Sequence, residues 1–263
     1  MELMYVYFSV PAFLKALERL INNYITFMEP VLEAVALCKN YGDKQALQSL
    51  NLKLTKGEIF SLLGPNGAGK STTINLFLGF ISATSGTAFI NGTDVAKDPV
   101  AIKKHLAYIP EQVMLYQNLS GLENLALLST LAGFNYSKEE LHHYLTQAGL
   151  QSDAVNKRVG SYSKGMRQKV GIAAAVAKEA KVLLLDEPTS GLDPKASNEF
   201  STLLLQLSKN GTAVFMATHD IFRAKEVSNR IGIMKGGQLI DLLEGSALNA
   251  GEIEKLYLDY MHN

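Results

Sequence analysis

Gly64-Pro65-Asn66-Gly67-Ala68-Gly69-Lys70-Ser71 follows directly on the apolar run Glu58–Leu63 and precedes a helical pattern from about Lys70 to Phe80. The stretch matches G-x-x-x-x-G-K-[ST] at every fixed position, and a strand, glycine loop and helix in that order form a cradle for phosphate. Glycines let successive backbone N–H groups turn inward on the anion, where a β-carbon would obstruct them. Lys70 supplies a point charge for the β- and γ-phosphates, and the Ser71 hydroxyl is a ligand for Mg²⁺. The helix that begins there aims the positive end of its dipole at the same anion. The segment Gly64, Pro65, Asn66, Gly67, Ala68, Gly69, Lys70, Ser71, Thr72 is therefore expected to bind nucleotide, with ATP and Mg²⁺ as cofactors.

A second stretch supplies the acids that such a cradle needs. Val182-Leu-Leu-Leu-Asp-Glu-Pro188 reads as a buried strand ending abruptly in two carboxylates. Apolar runs of this kind form central parallel strands, whose carboxyl ends carry ligand chemistry. Asp186 is placed to hold Mg²⁺ through its water shell. Glu187 would orient or deprotonate the water that attacks the γ-phosphate.

Outward from these two stretches, Leu32–Leu37 and Ala46–Leu54 read as strands around a turn at Tyr41–Lys44, and Ser85–Ile90 as a strand closed by Asn91-Gly92. Asn-Gly is a strong hairpin signal. Residues from about Glu123 to Ala180 are mostly helical, with Leu122, Leu125, Leu128 and Leu131 at helical spacing. Strands return at Val182–Leu185 and Ala213–Ala217, and Gly236-Gly237 joins Ile231–Met234 to Gln238–Leu242. Alternating strands and helices predict an α/β fold. The expected architecture is a P-loop NTPase core with a mainly parallel sheet, an antiparallel β subdomain and an inserted helical subdomain at about residues 112–178. The expected units are an N-terminal extension over 1–28, a catalytic domain over 29–245 and a helical tail over 246–263. Within the extension, Ala16–Ile25 reads as a short helix.

Composition narrows the class. The 263 residues carry 25 Lys and Arg against 25 Asp and Glu. The basic excess or stripe of a nucleic-acid binder is missing, so no nucleic-acid partner is expected. One cysteine, Cys38, cannot form an internal disulfide, which fits a reducing compartment. No run of about 20 apolar residues is present to cross a bilayer, and the start of the chain lacks a secretory signal pattern. Any transport would need a separate membrane-spanning partner.

Tyr162-Ser-Lys-Gly-Met-Arg-Gln168, followed by a helix and then the acidic strand, is where the chain resembles the ATP-binding cassette family, a likeness that covers about Val31 to Leu242. It is similar to the family signature, usually Leu-Ser-Gly-Gly-Gln. The resemblance implies that Ser163, Lys164, Gly165 and Met166 of one subunit cap the ATP cradled by another. A serine hydroxyl, an unencumbered glycine amide and a helix N-terminus suit that task. Ser190-Gly-Leu-Asp193 resembles the loop through which subunits sense each other, with Asp193 its acidic member. His219, in Ala-Thr-His-Asp, resembles the switch histidine at the γ-phosphate, and Tyr41 the aromatic that stacks on adenine. With Glu187 and Lys70, His219 completes the expected catalytic set.

The family usually has a glutamine in the loop entering the helical subdomain, where this chain reads Tyr108-Ile-Pro-Glu-Gln112. Either Glu111 or Gln112 would then serve the metal and subunit communication. This Pro-Glu form, the Ser-Lys-Gly-Met signature and the tail Gly251–Tyr257 resemble the branch serving ABC-2-type exporters. The resemblance implies a dimer, homomeric or with a related cassette, working under an integral membrane permease as a peripheral subunit at the cytoplasmic face. The rival reading is a P-loop ATPase uncoupled from transport, a regulatory or repair cassette. A kinase would need an arginine-bearing lid and no signature. A chromosome ATPase would need a long heptad-rich insertion, for which Ser71 to Ser163 is too short.

Overall fold

The computed structural model describes residues 29–262, so the helix expected at Ala16–Ile25 lies outside the described residues. Among the described residues ten strands form two sheets. The first runs in the order β2-β1-β4-β5, with β1 Pro30–Tyr41, β2 Lys44–Thr55, β4 Ser85–Ile90 and β5 Thr93–Asp94. All of its pairings are antiparallel. The second runs β10-β9-β3-β8-β7-β6, with β3 Ile59–Leu63, β6 Leu106–Ile109, β7 Val182–Asp186, β8 Ala213–Thr218, β9 Arg230–Lys235 and β10 Gln238–Glu244. Its strands are parallel from β9 to β6, and β10 closes the edge antiparallel.

The apolar runs explain the order. Every residue of β3 and β8 is buried, as are the first four of β7. Strands apolar on both faces are stable only in the middle of a covered parallel sheet. Alternate residues of β7 serve opposite cores: Val182 and Leu184 face the antiparallel sheet, while Leu183 and Leu185 face the helices on the other side. Helix α1 (Lys70–Phe77) sits in the first core, where Phe77 meets Phe215 edge-on at 5.5 Å and Phe60 stacks on Phe215 at 5.6 Å.

Helix α1 stops three residues short of the Phe80 that the pattern suggests. Gly79 takes φ 68°, Gly79 N–H donates to Leu76 O at 3.1 Å, and Phe80 N–H donates to Asn75 O at 3.0 Å. That pair of bonds is a Schellman stop, which favours glycine in the left-handed position. Both dipeptide hairpins form as expected: Asn91 and Gly92 have φ 47° and 75°, Gly236 and Gly237 φ 55° and 83°. Two consecutive positive φ values define the type I′ turn.

The long helical block resolves into α2 (Gly121–Leu131), α3 (Lys138–Gln147) and α4 (Lys164–Ala177). Ser120 and Ser137 begin the first two with capping boxes to Glu123 and Glu140. Each satisfies two orphaned backbone groups. The leucine row does not form one buried stripe. Leu125 is fully buried, yet Leu131 is 77% exposed. A three-residue step falls about 60° short of a full turn, so the three steps from Leu122 carry Leu131 to the opposite side of α2. Helices α5 (Pro194–Lys209), α6 (Ile221–Val227) and α7 (Ala250–His262) follow. Helix α7 docks through Ile253, buried with Leu63, Ala224 and Ile231.

Candidate functional site

The phosphate loop leaves the carboxyl end of β3 and is clamped from two sides. A β-carbon on Gly64 would lie 2.5 Å from Met234 O, and one on Gly69 2.5 Å from Ala46 O. Gly67 and Gly69 also hold φ values of 81° and 114°. The β9–β10 turn seals the clamp: Gly237 N–H donates to Ala68 O at 2.8 Å, and Gln48 N–H donates to Gly237 O at 2.8 Å. Backbone approaches this close exclude any side chain, and that is the physical content of the glycine spacing. Lys70 is nearly buried, and its ammonium donates to Gly64 O at 2.6 Å and Pro65 O at 3.3 Å.

The acids arrive from the neighbouring strands. Asp186 closes β7 with Oδ1 3.4 Å from Ser71 Oγ. Burial pushes its carboxyl above the usual carboxylate range; the Ser71 hydrogen bond pulls it back, Glu187 raises it, Lys70 lowers it and Glu111 raises it. Glu187 follows with φ 46° while its N–H donates to Ala217 O at 2.9 Å. A non-glycine residue in that region is strained, and such strain persists where surrounding bonds over-determine it. Its carboxylate is held at both ends. Oε1 pairs with Lys70 Nζ at 3.3 Å, and Oε2 meets His219 Nδ1 at 2.8 Å and the His219 N–H at 3.3 Å. With Glu187 ionised, Nδ1 is the donor of that bond and Nε2 is left as the imidazole's second nitrogen. His219 sits just past the end of β8, so three adjacent strand ends supply Lys70, Asp186, Glu187 and His219.

A cleft of about 300 Å³ joins Lys70, Asp186 and Glu187. Tyr41, Pro65, Asn66, Gly67, Gly69 and Thr72 line it together with Lys70, Ser71, Glu111, Asp186 and Glu187. Tyr41 is half exposed at the rim, with the Lys39 ammonium 5.0 Å from its ring centroid. Of the two candidates in the loop after β6, Glu111 lines the cleft and Gln112 does not. Glu111 Oε1 accepts from Ser190 Oγ at 3.2 Å.

Ser163, Gly165, Met166 and Asp193 lie elsewhere, along a separate cleft of about 590 Å³. Ser163 is the N-cap of α4 and accepts from Met166 N–H at 3.2 Å. Asp193 caps α5 by accepting from Ala196 N–H at 2.9 Å. The fold thus keeps the signature segment away from the phosphate cleft of its own chain. Lys164 alone turns back, toward Ser190 and Glu111.

Four residues escape a reading of the sequence alone. Ala46 and Lys44, from β2, line the cleft beside the phosphate loop. Gln168, fully buried in α4, donates through Nε2 to Pro188 O, directly after Glu187. Tyr257 of α7 has its hydroxyl pushed up first by burial and then by the charge of Glu187. Gln168 lay within the quoted signature stretch, but nothing in its spacing singled it out. Tyr257 reaches the site only through packing.

The oxygen donors fit Mg²⁺. Ser71 and Asp186 offer a hydroxyl and a carboxylate side by side, and Mg²⁺ takes one or two protein ligands, keeps several waters and uses phosphate oxygens for the rest. Among the described residues no three His, Cys, Asp or Glu side chains gather into a closed metal cage.

Comparison with known proteins gives a consistent picture. A family model described as "ABC transporter" matches residues 47–190. The bacitracin transport ATP-binding protein BcrA of Enterococcus faecalis is 37% identical over 223 residues, covering 84% of this chain and 72% of that protein. The linearmycin resistance ATP-binding protein LnrL of Bacillus subtilis is 33% identical over 212 residues, with coverages of 80% and 68%. Among solved structures, cbiO1 from Clostridium perfringens, part of the transporter complex cbiONQ, superposes with a TM-score of 0.75 at 25% identity over 88% of this chain and 93% of that one. A dimeric post-hydrolysis state of the cassette MJ0796, bound to ADP and Pi, superposes with a TM-score of 0.73 at 27% identity over 82% and 100%.

Proposed function

The chain belongs to the ABC transporter family as an ATP-binding, ATP-hydrolysing subunit, and we propose that it powers an ABC-2-type exporter by driving a separate membrane permease. The observation that carries this reading is the convergence of Lys70, Ser71, Asp186, Glu187 and His219 at neighbouring ends of one parallel sheet. Relatives named for bacitracin transport and linearmycin resistance support a drug-like cargo.

In this reading ATP is the substrate. The backbone amides of residues 64–72 grip its phosphates, and Tyr41 packs on the base at the rim of the cleft. Ser71 and Asp186 hold Mg²⁺, with Glu111 lining the same cleft. The metal, when bound, neutralises charge that develops on the transferred phosphoryl group. Glu187 takes the proton of the attacking water. Its second oxygen on His219 keeps the carboxylate aimed, and Lys70 stabilises negative charge at the phosphates.

Nucleotide in this scheme is held between two copies. The signature residues Ser163, Gly165 and Met166 line a cleft of their own rather than the phosphate cleft, which is the arrangement a cap supplied in trans requires. Asp193 stands on the same surface and would carry communication between protomers. The permease is proposed to dock beside the loop after Glu111, where Met114 is 83% exposed and Tyr116 also projects. Residues 29–245 form the catalytic domain in this scheme, with the helical subdomain at about 112–178 and the tail from 246. No helix among the described residues is long and apolar enough to cross a membrane. The proposed location is the cytoplasmic face of the membrane, against that permease.

Isolating the chain from detergent-solubilised membranes tests the proposal. An integral membrane subunit is expected to co-purify, and ATP hydrolysis is expected to fall steeply as the protein is diluted to monomers. Full turnover by demonstrably monomeric protein would refute the trans cap.

A further inference from the structure

Lys164 is an odd residue to find in the first turn of α4. A cation there faces the positive end of the helix dipole, which disfavours it. Two partners from other segments hold it in place. Its ammonium donates to Ser190 O at 2.5 Å and lies 3.7 Å from Glu111 Oε1. Ser190 closes the triangle by donating its hydroxyl to the same Glu111 oxygen at 3.2 Å. The lysine side chain is 24% exposed and the glutamate 51%, so Lys164 is the more firmly held member.

Three segments therefore meet at one oxygen: the start of the signature helix, the loop after β6 and the loop after β7. Glu111 lines the phosphate cleft with Asp186, and its charge adds to the rise of the Asp186 carboxyl. Two turns of chemistry depart here from the family's usual residues, glutamine in the loop and glycine in the signature. Both departures are charged, and they are charged oppositely.

We propose that Lys164 is a positioning residue for Glu111, tying the metal-side loop of its own chain to the signature segment that caps the partner's nucleotide. The inference rests on the family reading of those two segments. Released from Lys164, the Glu111 carboxylate gains freedom to turn further into the phosphate cleft. Held by it, Glu111 stays against Ser190. The state of one nucleotide site is thereby linked, inside a single protomer, to the segment that serves the other. The second grip of the same helix, Gln168 on Pro188 O, keeps the loop between Glu187 and Ser190 in register with α4.

A double-mutant cycle decides it, using Glu111→Gln, Lys164→Gly and both together, with Lys164→Arg as the conservative control. The first readout is urea unfolding without nucleotide at low salt. The two single changes are expected to be non-additive by about 2-fold to 5-fold in the unfolding constant, as for partly exposed pairs, with the coupling lost in 1 M salt. The second readout is the Mg²⁺ concentration giving half-maximal ATP hydrolysis. Lys164→Gly should lower it and Glu111→Gln raise it, each about 3-fold, on the same pair energy. The double variant should stay at the Glu111→Gln value, because without the carboxylate Lys164 has nothing to position, and Lys164→Arg should retain the coupling to Glu111→Gln in urea. Additive unfolding overturns the pair. Coupled unfolding with additive Mg²⁺ dependence leaves the pair purely structural and overturns the positioning role. If the wild-type chain hydrolyses no ATP, the functional reading fails separately, and the proposal built on it falls too.

Discussion

Glu187→Gln removes one charge, at constant volume, from a carboxylate engaged at both oxygens. Glu187 is 14% exposed and grips Lys70 at 3.3 Å and His219 at 2.8 Å. Breaking a buried ion pair usually costs about 3–5 kcal/mol, because it strands the remaining charge. Here Lys70 is not stranded, since Gly64 O and Pro65 O still accept from it at 2.6 and 3.3 Å. An amide oxygen can also stand where Oε1 stood. The expected stability loss is therefore about 1–2 kcal/mol, within the range of a single weakened charged hydrogen bond. Nucleotide binding should be retained or tightened: removing the Glu187 charge removes one of the causes that hold the Asp186 carboxyl up. Catalysis should respond quite differently. A lost general base costs about 10²–10⁴-fold in turnover, equivalent to about 3–5 kcal/mol of transition-state stabilisation. The assay pairs steady-state phosphate release with size-exclusion chromatography in ATP. Turnover should collapse while a nucleotide-dependent dimer persists. A kcat within tenfold of wild type would refute the assignment of Glu187, as would loss of ATP binding alongside turnover.

Four further outcomes are expected. Gly69→Ala should lose about 2–5 kcal/mol in urea unfolding, because φ 114° is strained for alanine and the new carbon would meet Ala46 O at 2.5 Å. Asp186→Asn should reduce hydrolysis by about 10²-fold or more, yet raise the melting temperature of nucleotide-free protein at pH 7. The sign follows from burial: the folded carboxyl lies above its unfolded pKa, so ionisation opposes folding at neutral pH, and the gain should vanish as pH falls through the folded value toward the unfolded one. Ser163→Ala should cost about 0.5–2 kcal/mol by losing the α4 cap, together with a fall in hydrolysis; unchanged turnover would exclude it from the composite site. Chelating Mg²⁺ should abolish hydrolysis without shifting the far-ultraviolet circular dichroism, because its candidate ligands Ser71 and Asp186 stand at the ends of elements and no described cluster would make a metal structural.

Much of the architecture was legible because it is written in local rules. The buried runs Ile59–Leu63, Val182–Leu185 and Ala213–Thr218 have the composition of central parallel strands, and they occupy the middle of the sheet. Asn91-Gly92 and Gly236-Gly237 are hairpin turns because each needs two positive φ values. Elements with weak local signals were missed. Strand β6 has four residues, Leu106–Ile109, and is a strand only because β7 offers it a partner edge. Helix α5 did carry a start signal in Asp193-Pro194, a capping acid followed by proline at the first helical position, that went unread beside the chemistry of the same loop.

What the amino-acid order determines by itself, then, is the phosphate loop, the acidic strand end and the alternation that builds an α/β core, because backbone conformation and period are set within a few residues. Distance across the fold is not so encoded. The hold of His219 and Lys70 on opposite oxygens of Glu187, the preference for Glu111 over Gln112 in the cleft and the turn of Lys164 toward its own chain depend on which strands lie side by side. Strand neighbours are chosen by the packing of whole faces, and only the assembled tertiary structure brings those side chains within bonding reach.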